Sequence, residues 1–141
     1  MKFSAETMNI LKNFSQVNPG IVFKPGNVLR TMHPQKTVMA SASISETIGT
    51  VARVYDLSRF LSVLSLFQDP DVEFGEDRFT ISSGKSKVSY TYAAESMIVT
   101  PPDKTMTLPN SEAVIDIVWK DLDSVIRASG VLKLTEVEFS S

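Results

Sequence analysis

Apolar residues recur along this chain in two alternating rhythms. At helical spacing, Ile10, Leu11, Phe14 and Val17 share one side of residues 5–17, and Phe60, Leu61, Leu64 and Phe67 share one side of residues 57–67. After each such stretch the period drops to two: VMASASI sets Val38, Ala40, Ala42 and Ile44 on one side of a strand, and KVSYTY does so with Val88, Tyr90 and Tyr92. Turn chemistry separates the strands, with PG at 25–26, GED at 75–77 and SGK at 83–85. The pattern predicts a strand at Lys2–Ser4, a helix over 5–17 and strands near 20–24, 27–33 and 37–45. It then predicts a strand over 50–55, a helix over 57–67 and strands near 71–75, 78–82 and 86–94. That is an α+β arrangement, β-α-β-β-β written twice.

Between residues 95 and 110 the stretch ESMIVTPPDKTMTLPN keeps no period and carries three prolines, so it reads as an extended connector. A third unit comes next, with a strand over Val114–Trp119, a helix over Asp121–Leu132 and a strand over Leu134–Phe139. The expected organisation is a first domain over 1–94, a connector over 95–111 and the start of a second domain over 112–141. The pattern stops two strands short of another full unit.

The three helical stretches superpose without a gap when shifted by fifty and then sixty-five residues. Glu6, Asp56 and Asp121 open them, where a carboxylate meets free backbone N–H groups and the positive end of the helix dipole. Ile10–Leu11, Phe60–Leu61 and Val125–Ile126 are the matched apolar pairs, and Val22, Val72 and Val137 begin the segment after each helix. One position differs in kind: directly after the apolar pair stand Lys12, Ser62 and Arg127. The middle helix, DLSRFLSVLSLF, also carries Ser58, Ser62 and Ser65 in one stripe with Arg59 beside it, a polar face that is nearly uncharged.

Composition narrows the chemistry. With 43% hydrophobic residues the 141-residue chain buries a sizeable core. Its 14 basic and 16 acidic residues leave a net charge of -2, so it is no globally basic nucleic-acid binder, and any phosphate contact is local. Absence of cysteine excludes disulfides and thiolate chemistry and fits a reducing compartment. A single histidine, His33, builds neither a metal cluster nor a proton relay. The carboxylates Asp69, Asp71, Glu73, Glu76 and Asp77 lack calcium-loop spacing and read as a solvated turn. No cofactor, no metal, no membrane association and no catalysis are expected.

The repeated unit, the proline-bearing connector and the opening of another unit resemble the DNA sliding clamps, processivity factors of replicative polymerases, and the T-even-type phage clamps in particular. The stretches that carry the resemblance are LKNFSQVNPGIVFKPG (11–26), YDLSRFLSVLSLFQD (55–69), PPDKTMTLP (101–109) and DLDSVIRASGVL (121–132). The resemblance implies a processivity-fold domain of two βαβββ units, then the first β-α-β of a second clamp domain. Clamp subunits of that kind have two complete domains; here a gene fragment and an evolved short form read alike.

For function, the resemblance implies a ring with sheets outside and helices facing duplex DNA, located in the cytoplasm of an infected bacterium. The implied partners are duplex DNA bound without sequence preference, a replicative DNA polymerase and a clamp loader. The serine stripe fits a surface that must let DNA slide, because dense lysine would hold the backbone. Lys12, Arg59, Lys120 and Arg127 are the phosphate-facing candidates; each also fits an ordinary surface charge. In clamps, partner tails dock in an apolar pocket beside the connector, and Met97, Ile98, Val99, Met106 and Leu108 are its candidates here, or else pack the connector on its own sheet. An open apolar face on the third unit predicts a homo-oligomer, most simply a two-fold dimer. The other reading is a peptide-binding or structural clamp-like module that neither closes a ring nor touches DNA.

Overall fold

The computed structural model describes residues 1–104, 107, 110 and 114–139, in two compact units, Met1–Asp103 and Lys104–Ser141. The first is a mixed α/β unit. Helix α1 (Ala5–Val17) leads into β1 (Ile21–Phe23), β2 (Gly26–Met32) and β3 (Met39–Ile48). Strand β4 (Ala52–Val54) then enters helix α2 (Leu57–Ser65), followed by β5 (Asp71–Phe74), β6 (Arg78–Ser83), β7 (Ser86–Thr91) and a single 3-10 turn, Glu95–Met97. All strand pairing is antiparallel, β2 with β3, β5 with β6 with β7, and β1 with β4. The last pairing sets Phe23 opposite Ala52 and ties the two halves of the repeat together.

The apolar stripes decide what is buried. Leu11 and Phe14 of α1, and Leu57, Phe60, Leu61 and Leu64 of α2, are in the core, and the two helices pack on each other. Beneath α2 lies an aromatic cluster in which the Phe60 ring stands 4.8 Å from Phe79 and 5.4 Å from Tyr90, with Phe79 4.7 Å from Tyr92. Edge-to-face contacts of this kind add to burial. Within β3 the strand alternation holds, with Ser41, Ser43 and Ser45 exposed while Ala40, Ala42 and Ile44 turn inward, but Val38 precedes the strand and is exposed. Gly84, at φ 57°, supplies the left-handed residue of the two-residue turn between β6 and β7.

Two expectations need correction. Residues 2–4 form no strand. A single ladder bond, from the Val72 N–H to the Met1 carbonyl at 2.7 Å, joins this segment to β5. Ser4 is drawn off to cap α1: its hydroxyl accepts from the Thr7 N–H at 3.2 Å, and its own N–H goes to the Glu46 carboxylate. In the second unit, helix α3 starts at Trp119 and runs to Leu132, and neither 114–118 nor 134–139 is a strand. A strand exists only through a neighbour's backbone groups, and no ladder reaches these segments among the described residues. A left-handed Lys133 ends α3, with the Leu134 N–H returning to the Ser129 carbonyl at 2.9 Å.

Helix starts are also more varied than the repeat implies. Asp56 is a true cap, its carboxylate accepting the Arg59 N–H at 2.9 Å. Glu6 and Asp121 instead lie inside the first turn, near the positive helix end.

Candidate functional site

On the outward side of the helix pair stand Glu6, Asn9, Lys12, Asn13 and Gln16 from α1, and Ser58, Arg59, Ser62 and Ser65 from α2, all exposed. Lys12 makes no ion pair among the described residues, whereas Arg59 leans toward Asp56 at 3.7 Å. Two of the three serines already donate within the helix. Ser62 Oγ donates to the Ser58 carbonyl at 2.8 Å and Ser65 Oγ to the Ser62 carbonyl at 2.7 Å. Each hydroxyl therefore spends its proton inside the helix and turns lone pairs outward, which repel rather than grip a phosphate oxygen. In the second unit, Lys120 and Arg127 are seven residues apart on α3, hence on one side of it, and both are exposed. Arg127 is partly neutralised by Asp123 at 2.8 Å.

The connector candidates divide. Met97 is exposed, but Ile98 is buried against Gly20, where its side chain leaves no room for even a methyl group without a shift. Val99 is half-buried and its carbonyl accepts a hydrogen bond from Asn18 Nδ2 at 3.0 Å. Met106 and Leu108 lie outside the described residues. Asn18 is the joint that sequence reading missed. It is buried at the end of α1, donates also to the Met32 carbonyl at 2.8 Å, and accepts the Gly20 N–H at 2.9 Å.

A cavity of about 200 Å³ opens beside the start of the connector, lined by Val22, Lys24, Pro25, Val28, Arg30 and the connector residues Thr100, Pro101 and Asp103. Lys24 is ion-paired with Asp103 across it. The Lys24 hydrogen bond and charge hold the Asp103 carboxyl below the usual carboxylate range, against slight desolvation and with help from the Arg30 charge. None of these wall residues was a candidate from sequence. The available signals were the lysine and exposed valine flanking the Pro25–Gly26 turn, and the charge directly after the double proline.

Among the described residues no group of three or more histidines and carboxylates could hold a metal ion, and no helix is long and apolar enough to cross a membrane. A mixed α/β unit with antiparallel sheets is consistent with a clamp domain. The chain belongs to the DNA polymerase processivity factor family, whose model matches residues 4–100. It is similar to the proteins named sliding clamp of Enterobacteria phage T4 (34% identical over 139 residues, 97% of this chain and 60% of that protein) and of Escherichia phage RB69 (33% over 144 residues, 100% and 62%). The sliding clamp of Vibrio phage KVP40 is 30% identical over 141 residues, 97% of this chain and 63% of that protein. The chain thus spans about 60% of the length of these relatives.

Proposed function

We propose that this chain acts as a sliding-clamp processivity factor, cradling duplex DNA without sequence preference and tethering a replicative polymerase in the cytoplasm of an infected bacterium. Its role is topological and raises the local concentration of the polymerase at its template, with no chemistry of its own. The observation that carries this reading is the outward face of the α1–α2 pair, where the two cations Lys12 and Arg59 stand among small and neutral polar side chains. In this reading residues 1–94 are one clamp domain of two βαβββ units, residues 95–111 join it to a second, and Lys12, Arg59, Lys120 and Arg127 face DNA. Partner tails dock at the connector cavity, and Ile98 and Val99, directly before its connector wall, fasten that segment to the unit. The chain self-associates through its second unit.

The test is a fluorescence titration with duplexes of unrelated sequence. Weak binding, equal across sequences and lost as salt rises, is expected. Tight, selective binding that persists at high salt would contradict the sliding role. The second reading, a peptide-binding module without DNA contact, is favoured by one observation: the connector cavity lies wholly within the first unit and needs no ring. Absence of DNA binding with retained peptide binding would select it.

A further inference from the structure

The cations on the helix faces differ in what holds them. Arg59 has Asp56 three residues back, at the start of α2, and leans on its carboxylate at 3.7 Å; Arg127 has Asp123 four residues back on α3 and closes on it at 2.8 Å. Both spacings put acid and base on one side of a helix. Lys12 has Met8 and Asn9 at the corresponding places, and neither it nor Lys120 makes an ion pair among the described residues. Asp123 lies within a turn of both Lys120 and Arg127, yet it engages the arginine. This division follows what each head group does to a phosphate. An ammonium is a point charge, whereas a guanidinium grips two oxygens with a planar fork, and such a grip resists movement along the backbone. Both pairs are solvated, with the guanidiniums at 74% and 78% exposure, so each is weak and exchangeable.

Resting on the reading of these helix faces as DNA-facing, we propose that Asp56 and Asp123 are positioning residues that blunt the grip of Arg59 and Arg127 on phosphate. Each carboxylate competes with the duplex for the arginine of its own helix, so a phosphate contact forms only by exchange and gives way to a partner that waits beside it. The lysines supply attraction without a fixed geometry. Asp56 is kept in place for this by its other oxygen, which caps α2 through the Arg59 N–H at 2.9 Å.

Duplex titrations of the whole chain by fluorescence anisotropy, at several salt concentrations, test this with Asp56→Asn and Asp123→Asn. Asparagine caps a helix as well as aspartate does, so α2 is retained. Each variant is expected to bind about two- to fivefold more tightly at low salt, and to steepen the salt dependence by about one as the freed arginine takes up a full phosphate contact. Glu6→Gln removes an exposed carboxylate of α1 and measures the general effect of one lost negative charge; its gain should fall short of both. Adding Arg59→Gln to Asp56→Asn, or Arg127→Gln to Asp123→Asn, should abolish the excess. Gains no larger than that of Glu6→Gln, or an excess that survives loss of the arginine, would overturn the proposal and leave the DNA-facing assignment standing. No duplex binding by any form, the combined Asp56→Asn and Asp123→Asn variant included, would remove that assignment and this inference with it.

Discussion

Glu46 shows how much one side chain organises. Placed on β3, it receives the Thr7 hydroxyl at 2.6 Å, the Ser4 N–H and the Ser45 hydroxyl at 3.2 Å, and so closes the cap of α1 onto the sheet. Partial burial pushes its carboxyl up, but the bonds from Thr7 and Ser4 outweigh that and leave it below its ordinary value of 4.5. A depressed folded value means that the stabilisation is present above the unfolded value and is lost as pH falls through the folded one. Urea unfolding should therefore show stability falling below about pH 4.5, and Glu46→Gln should flatten that dependence. Glu46→Ala takes from the fully buried Thr7 hydroxyl its acceptor, leaving it only the bond it accepts from the Ser4 hydroxyl at 3.0 Å, and should cost about 1–3 kcal/mol at neutral pH. Asn18 acts similarly at the other end of α1. Asn18→Ala strips partners from the Met32 and Val99 carbonyls and the Gly20 N–H, and should cost about 2–4 kcal/mol in the same assay. Amide exchange at residues 97–100 should rise with it.

At the scale of elements, the helices offer a direct test of the DNA-facing register. Ser62 stands where the matched helices carry Lys12 and Arg127. Ser62→Lys should steepen the dependence of the logarithm of duplex affinity on the logarithm of salt by about one, and Lys12→Gln should shallow it by about one, both measured by titration across salt concentrations. Unchanged slopes would separate this face from DNA. The helices and the hairpins β2–β3, β5–β6 and β6–β7 were legible because their period, turns and apolar sides agree and their partners are near in sequence. Residues 2–4, 114–118 and 134–139 alternate as well as some true strands do, yet alternation states only which face a strand would bury, not whether a neighbour supplies its hydrogen bonds. The cavity was illegible for another reason. Its walls come from residues 22–30 and 100–103, which no spacing rule connects, and Ile98 reads equally as a pocket residue or as connector packing until Gly20 is seen beneath it. Asn18 gave no signal beyond sitting between a helix and a proline.

For the whole molecule, the second unit is the part least able to stand alone. No residue of α3 is buried, and Val118, Trp119, Val131 and Leu132 are exposed at 65%, 71%, 83% and 66%. One side of α3 is partly covered by its own flanks, since Ile117, Leu122, Val125, Val137 and Phe139 line a shared hollow. On the proposed self-association, the remaining apolar surface pairs with a second copy in a pure preparation. Light scattering should show mass rising with concentration toward a dimer, and Trp119→Lys with Val131→Lys should return it to the monomer. A monomer at high micromolar concentration would sink the self-association.

The fastening of the connector has a mechanical consequence. Traction on it from beyond Asp103 meets three ties in turn: a solvated ion pair at Lys24, a half-buried hydrogen bond from Asn18 to Val99, and the buried side chain of Ile98. They stand in series, weakest outermost, so a tug meets rising resistance on its way toward the core. The outer tie is a fuse that yields and re-forms while the inner ones carry sustained load. A pull on this strap is thus taken first by its outermost tie, before it reaches the unit to which the strap is riveted.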